Sequence, residues 1–533
     1  MREYEQLFRH LNVGILIFFA VDVVMSWFSA PNRLTHLKRY WYELFIFIPL
    51  VLLITGGRTT PRLQNLMIQA VIIIIVVVRI HRIYAFFWLL SARPAQLMLG
   101  SFASVILVGT ALLMLPAATR GGLDTTLGEA FFTATSATCV TGLIVVDTPN
   151  HFSFFGQAVI LALIQLGGLG IMTFSVCFAL LLNRRLSLRN QRAMQEILDQ
   201  DTLKSAKRLV GFIVLMTFLL EVIGALILFV NWHDSPRPVL SDAWHAVFNS
   251  VSAFCNAGFS TFSNSLEGSA TDRTVNYVIG ALIILGGLGF PVIRDLYHKL
   301  LHLFHRRDPH RFRLQSRVVL VCTGGLLLLG TGFFYLLEYN HILAEQAGSD
   351  ALLISFFQSI TTRTAGFNTC DIGALQSSTL YVFIFLMFIG ASPGGTGGGI
   401  KTTTLATAWA VIRAGFRNRP QAELYRRTIP MDLIQRAVMV LCSAALLVAG
   451  STIVLCALED QSFLALHFEA VSAFATVGLS TGITAELSTA GRLVLCLLMF
   501  VGRLGPLTVG FALMLRQKPA ARYTYATERI MIG

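Results

Sequence analysis

One short pattern occurs four times in this chain, and a fourfold internal repeat restricts the architecture more than any other feature of the sequence. The copies read FFTATSATCVTGL, VFNSVSAFCNAGF, FFQSITTRTAGF and FEAVSAFATVGL. Phe132, Phe248, Phe356 and Phe468 each stand ten residues before a glycine, at Gly142, Gly258, Gly366 and Gly478. Every copy is a Ser/Thr/Ala-rich segment that stops at a glycine followed by Leu or Phe, and every copy lies between two apolar runs. Four related segments can surround one axis, and a glycine lets carbonyls turn toward that axis without a Cβ in the way. Rings of backbone carbonyls are how a pore replaces the water around an alkali cation. One such loop could be an ordinary glycine turn closing a short helix; four at matched spacing point to a shared cation filter. Its candidate ligands are Thr141, Gly142, Ala257, Gly258, Ala365, Gly366, Val477 and Gly478. Glycine in all four places favours a symmetric cage for a larger, weakly hydrated ion such as K⁺.

Composition agrees with a membrane setting. The 533 residues are 55% hydrophobic and only 13% charged, and repeated apolar runs mark a polytopic helical membrane protein. The net charge of +13 does not imply nucleic acid, because the basic residues collect in alternate connecting segments. The eight cysteines show no CxxC spacing and read as free buried thiols. Acidic residues at Glu3 and Glu5 argue against a cleavable signal peptide.

Three short apolar segments, at about 13–28, 41–56 and 66–78, precede the repeat and define an accessory transmembrane region, 1–91. Four repeats follow, at 92–208, 209–317, 318–427 and 428–533, the last with the C-terminal tail. Each is a span, a re-entrant pore loop and a second span. The spans fall near 97–115 and 156–182, 209–231 and 275–293, 318–338 and 380–412, and 434–457 and 491–515. Non-helical backbone at membrane depth is tolerated where it lines a cavity or is buried in protein. Pore helices are expected to begin near Gly128, Asp242, Ser349 and His467 and to aim their C-terminal, negative dipole ends at the filter. The fold class expected is an all-α integral membrane protein: four pseudo-symmetric helix–pore loop–helix repeats around one central pore, plus N-terminal accessory helices.

Charge sets the orientation. The linkers between repeats carry clusters such as Arg184, Arg185 and Arg189, Arg306 and Arg307, and Arg413, Arg417, Arg419, Arg426 and Arg427. The pore-loop side holds few, among them Arg120, Arg237, Arg273 and Arg363. Positive charge marks the cytoplasmic face, so the filter opens outward in a multi-pass protein of the cytoplasmic membrane.

The second spans repeat a glycine cluster: Gly167-Gly168-Leu169-Gly170, then Gly286-Gly287-Leu288-Gly289, then Gly502-Arg503-Leu504-Gly505 in the last. The third instead carries Ser392-Pro393-Gly394-Gly395-Thr396-Gly397-Gly398-Gly399-Ile400-Lys401. Glycine and proline at that density break a helix, so an unwound loop is expected in mid-membrane below the filter. Such a loop can gate permeation, with Gly394, Gly395, Thr396, Gly397, Gly398, Gly399 and Lys401 as gating residues. Arg503 stands where the first two repeats have Gly168 and Gly287. An intramembrane arginine is costly and faces a cavity or a partner; beneath a filter it raises the barrier to cations, and it can also pair with carbonyls of the loop. Glu221 is read as a structural partner within its span, and His298, His302 and His305 as a basic interfacial helix end. No Walker loop, GxGxxG or HExxH is present.

TSATCVTGL, IQLGGLGIMTF, SPGGTGGGIKTTT, VGRLGPLT and the terminal ERIMIG together resemble the membrane subunit of Trk/Ktr/HKT potassium transporters, nearest the KtrB type, over about 92–533. The resemblance implies K⁺ uptake, often stimulated by Na⁺, through a fourfold pseudosymmetric pore in a homodimer within the lipid bilayer. It also implies control by a cytoplasmic, nucleotide-binding RCK subunit of the KtrA/TrkA type, and no organic cofactor in this chain. On it the filter glycines fall at Gly142, Gly258, Gly366 and Gly478, the gating loop at about 392–404 and the constriction arginine at Arg503. The extra N-terminal segments depart from the KtrB pattern. Within the class, the rival is a Na⁺-conducting, HKT-like transporter, which Gly142 in place of serine opposes. From another class, an integral membrane enzyme would need a polar cluster of acid/base or metal groups that the scattered His and Cys do not supply.

Overall fold

The computed structural model describes residues 94–121, 123–181, 203–233, 238–305 and 312–513. The accessory segments, Asp22 among them, and the C-terminal tail beyond residue 513 lie outside the described residues.

Four repeats follow one another. The first has α1 (Pro94–Leu113), pore helix α2 (Leu127–Cys139) and α3 (Phe154–Leu181). The second has α4 (Leu203–Trp232), pore helix α5 (Val239–Cys255), α6 (Arg273–Leu288) and α7 (Phe290–His305). The third has α8 (Leu314–Glu338), pore helix α9 (Gly348–Thr361), α10 (Ser377–Phe388) and α11 (Thr402–Phe416). A small antiparallel hairpin, β1 (Glu423–Leu424) and β2 (Arg427–Thr428), joins the third repeat to the fourth. The fourth repeat has α12 (Met431–Leu458), pore helix α13 (Phe463–Ala475), α14 (Thr489–Leu504) and α15 (Pro506–Leu513).

Each outer helix, α1, α4, α8 and α12, packs on the pore helix of its own repeat. The inner helices close the ring: α3 lies on α5, α6 on α9, α10 on α13, and α14 returns to α2. The outer four are long and apolar enough to cross a bilayer, with mean hydropathy of 1.9 to 2.8. Their outward faces carry exposed Leu226, Val230, Leu328, Leu336, Leu446 and Ile453, the side chains a lipid-facing surface requires. Inside, Phe132, Phe248, Phe357 and Phe468 are buried at the centre of their repeats, each contributing on the order of 2–3 kcal/mol of burial. In the third repeat Phe357, rather than Phe356, fills this place, because that loop is one residue shorter.

Helix ends follow local chemistry. Thr126 and Glu129 form a capping box at α2. Ser462 caps α13 by accepting the Ala465 N–H, so this helix starts at Phe463, one turn ahead of the expected His467. The spans expected as continuous at 275–293 and 491–515 are each two helices, bent by 108° at Gly289 and by 97° at Gly505. Both breaks pair a positive-φ glycine with a proline in the next turn, Pro291 and Pro506, the combination that ends one helix and starts another. The corresponding Gly167-Gly168-Leu169-Gly170 of α3 lacks a proline and stays helical. Of the cysteines, Cys139, Cys255, Cys370 and Cys496 are buried as expected, whereas Cys442 and Cys456 are exposed on the outward face of α12.

Candidate ion pathway

All four pore helices end at the centre of the ring, and each chain turns there in the same way. Val140, Asn256, Thr364 and Thr476, two residues before each glycine, adopt positive φ of 57°, 59°, 67° and 53°. This turn lets the next N–H bond back into the helix: Thr141 to the Ser136 carbonyl at 2.8 Å, Ala257 to Ser252 at 2.8 Å, Ala365 to Thr361 at 3.1 Å and Val477 to Ser472 at 2.9 Å. The four residues that accept these bonds, Ser136, Ser252, Thr361 and Ser472, also use their hydroxyls. Ser136 and Ser472 Oγ accept the N–H of Gly142 and Gly478, both at 3.1 Å. Ser252 and Thr361 donate to the carbonyls of Phe259 and Phe367, at 2.6 and 2.5 Å. The sequence signal for them was a hydroxyl six residues before the glycine, shifted to five in the short third loop.

The four glycines meet. A Cβ placed on Gly142 would lie 2.6 Å from the Ala257 carbonyl oxygen, and one on Gly258 2.9 Å from that of Ala365. On Gly366 it would lie 2.6 Å from the Val477 oxygen, and on Gly478 2.0 Å from that of Thr141. Each loop thus rests on the next and the fourth on the first, bringing Thr141, Ala257, Ala365 and Val477 together with the four glycines. With φ of 96°, 72°, 78° and 91°, none of the four glycines could take a side chain without strain.

Above the ring, a cavity of about 330 Å³ is lined by the four glycines and by Asp147, Glu267 and Asp371. Its rim is tied across repeats: Ser263 Oγ donates to Asp147 at 2.8 Å and Asn368 Nδ2 to Glu267 at 2.8 Å. Burial, and then the charge of Asp371, hold the Glu267 carboxyl above its usual range. Behind the ring, buried side chains one residue past the central phenylalanines staple the outgoing segment of the second, third and fourth loops. Asn249 donates to Thr261 at 3.0 Å and Gln358 to Thr369 at 3.3 Å. Glu469 accepts from Ser480 at 2.5 Å and Thr484 at 2.9 Å.

Below the ring, residues 389–401 run without helix between α10 and α11. Backbone bonds fix this loop to the α6–α7 break: Ser392 N to Gly287 O at 2.9 Å, Thr396 N to Gly286 O at 3.1 Å and Phe290 N to Gly394 O at 3.0 Å. Thr396 Oγ1 donates to the Phe254 carbonyl at 3.1 Å, and Gly398 N to Thr476 Oγ1 at 3.0 Å. The contacts with the ends of α5 and α13 set the loop directly under the ring. A Cβ on Gly397 would fall 1.9 Å from Thr364 Oγ1, so the approach requires glycine. Lys401 Nζ donates to the carbonyls of Gly397 at 2.8 Å and Gly398 at 3.3 Å. Arg503, 3% exposed, donates to the carbonyls of Thr396 and Gly167. Gly395 and Gly399 lie within the same loop.

Arg363, counted from the sequence among the external charges, is instead 8% exposed and donates to the Gly390 carbonyl at 3.3 Å. It takes the place that Cys139, Cys255 and Ala475 hold in the other repeats, and so faces inward. Glu221 is buried between α4, α3 and α5, accepting from Gln165 at 3.3 Å, while its carbonyl accepts from Ser250 at 2.7 Å. Among the described residues no group of three or more His, Cys, Asp or Glu could hold a metal ion.

Comparison with known proteins agrees with this architecture. The family model of TrkH, a cation transport protein, matches residues 64–523. The Ktr system potassium uptake protein D of Bacillus subtilis is 38% identical over 83% of this chain and 98% of its own. The Ktr system potassium uptake protein B of Vibrio alginolyticus is 37% identical over 82% of this chain and 94% of its own. The potassium/sodium uptake protein NtpJ of Enterococcus hirae is 36% identical over 83% of this chain and 97% of its own. The crystal structure of the potassium transporter TrkH from Vibrio parahaemolyticus superposes with a TM-score of 0.59 at 20% identity, covering 78% of this chain and 85% of that one. The chain belongs to the Trk/Ktr family of cation transport proteins: it is a multi-pass membrane transporter of the KtrB type, not an enzyme.

Proposed function

We propose that this protein takes up potassium across the cytoplasmic membrane, and that the four converging loops are its selectivity filter. The observation that carries this reading is the closed ring in which each filter glycine lies against the carbonyl of the next loop. The names of relatives similar over nearly their whole length, potassium uptake proteins of Ktr systems, support the ion. Cations gather in the acidic outer cavity, lose water to the carbonyls of Thr141, Ala257, Ala365, Val477 and the four glycines, and meet the negative ends of four pore helices. Beneath, the loop of residues 389–401 closes the path, and the part-buried Lys401 and the buried Arg503 add positive charge to the barrier. Displacement of this loop opens it.

Stimulation by Na⁺, assembly as a homodimer and control by a cytoplasmic RCK subunit complete the proposal. Na⁺ conduction is the alternative that the name of NtpJ favours, and Gly142 opposes it. The test is growth of a K⁺-uptake-deficient bacterium at low external K⁺. The intact chain should restore growth, and Gly142→Ser should weaken the preference for K⁺ over Na⁺. Growth and ion preference unchanged by that substitution would refute the filter assignment.

A further inference from the structure

A groove of about 710 Å³ lies between α8 and α11 and is closed on one side by the β1–β2 hairpin. Its composition changes along its length. Leu405, Trp409 and Arg413 on one face of α11, and Arg417 at its C-cap, recur every four residues, a stripe about 18 Å long at the helical rise. The end nearer the membrane centre is apolar, with Leu405 facing Val318 and Val321 of α8. Trp409 comes next, 64% exposed, and tryptophan is a residue enriched at bilayer interfaces. Arginines then take over: Arg413 from the helix, Arg417 from its C-cap and Arg426 from the hairpin. Arg419 is engaged by Glu423 at 3.0 Å; Arg413, Arg417 and Arg426 have no carboxylate within ion-pairing distance among the described residues.

We propose that this groove binds one anionic phospholipid of the inner leaflet. Its acyl chains lie along Val318, Val321 and Leu405, its glycerol lies beside Trp409, and its phosphate is held by Arg413, Arg417 and Arg426. Guanidinium groups bind phosphate oxygens through paired N–H donors, and basic residues at the cytoplasmic surface attract anionic lipid. The order apolar, aromatic, basic along one stripe is the order of chemistry along a lipid from tail to headgroup. A soluble phosphate compound would use only the arginine end and leave the apolar length without a function.

The test is retention of lipid by the purified full-length chain, read by native mass spectrometry. Phosphatidylglycerol and phosphatidylcholine of identical acyl chains are compared. Phosphatidylglycerol should be retained preferentially. Arg413→Gln, Arg417→Gln and Arg426→Gln should weaken it on the order of fivefold each, while Arg427→Gln, an equal loss of charge outside the groove lining, should change it little. Equal loss in Arg427→Gln would mean diffuse surface attraction and overturn the site. Displacement of the lipid by inorganic phosphate would assign the arginines to a soluble anion, and overturn it too. The wild-type chain supplies an arm independent of variant folding: phosphatidylglycerol with a photoreactive acyl chain should label Val318, Val321 and Leu405 above the outward face of α4. Uniform labelling refutes the proposal. Neither arm depends on transport, so either can fail while the potassium reading stands.

Discussion

Substituting alanine for the four central glycines one at a time should give a ranked series set by the geometry of the ring. The added Cβ would come 2.0 Å from a neighbouring carbonyl oxygen at Gly478, 2.6 Å at Gly142 and Gly366, and 2.9 Å at Gly258. Contacts under 3.0 Å force movement, and at every position the obstacle is backbone rather than a flexible side chain. Overpacking of this kind costs about 1–3 kcal/mol, and a non-glycine residue held at positive φ about 1–3 kcal/mol more. Gly258, with the roomiest contact and φ of 72°, should sit at the lower end and Gly478 at the upper. Because the displaced atoms are the carbonyls proposed to bind the ion, the cost should appear as lost discrimination as well as lost stability. Rubidium flux into proteoliposomes with competing Na⁺, alongside thermal unfolding, measures both. The expected order of damage is Gly478→Ala, then Gly142→Ala and Gly366→Ala, then Gly258→Ala. Full K⁺ preference in Gly478→Ala, or greatest damage in Gly258→Ala, would refute the reasoning.

Arg503→Gln removes charged donors from the carbonyls of Thr396 and Gly167. Such bonds contribute about 1.5–3 kcal/mol each, so loop closure should weaken and K⁺ flux rise, as it should on deleting residues 394–399; lower or unaltered flux in both would remove the gate. Ser472→Ala leaves the Gly478 N–H without its acceptor and should destabilise the protein by about 1–3 kcal/mol, visible as a lowered melting temperature. The Glu267 carboxyl titrates above its usual range, by burial first and the Asp371 charge second. As external pH falls through that range, its proton neutralises part of the outer cavity, and flux at limiting K⁺ should fall. Asp371→Asn removes the second cause and should move the midpoint of that fall to lower pH, and a midpoint left in place would count against the coupling.

The glycine ring and the non-helical stretch at 389–401 could be seen in the sequence because each depends on residues with strong backbone consequences: Gly142 and its counterparts, and the run from Pro393 to Gly399. The breaks at Gly289 and Gly505 were harder to see. The segments that lead into them, 275–288 and 493–502, read as membrane spans, and Pro291 and Pro506 distinguish the breaks from the unbroken α3. Arg363 reads as external when charge is assigned by position along the chain. Burial depends instead on which face of the pore-helix terminus a residue occupies. The one-residue deletion in the third loop moved the central phenylalanine from Phe356 to Phe357, a shift invisible when spacing is counted back from the glycine alone. Ser136, Ser252, Thr361 and Ser472 are ordinary pore-helix residues until the turn two residues before each glycine brings the outgoing chain back over their hydroxyls.

The break at Gly289 has a mechanical consequence. The N–H of Phe290, the first residue of α7, is bonded to Gly394 in the loop, and α7 leaves that point at 108° to α6. A helical arm of sixteen residues, about 24 Å long at the helical rise, is therefore coupled through main-chain atoms to the loop of residues 389–401 beneath the glycine ring. Torque on its far end would reach that loop with no side chain as intermediary. A protein pulling on that arm from the cytosol could work the loop from a distance, and sequence changes along α7 could adjust the leverage without altering what the ion meets.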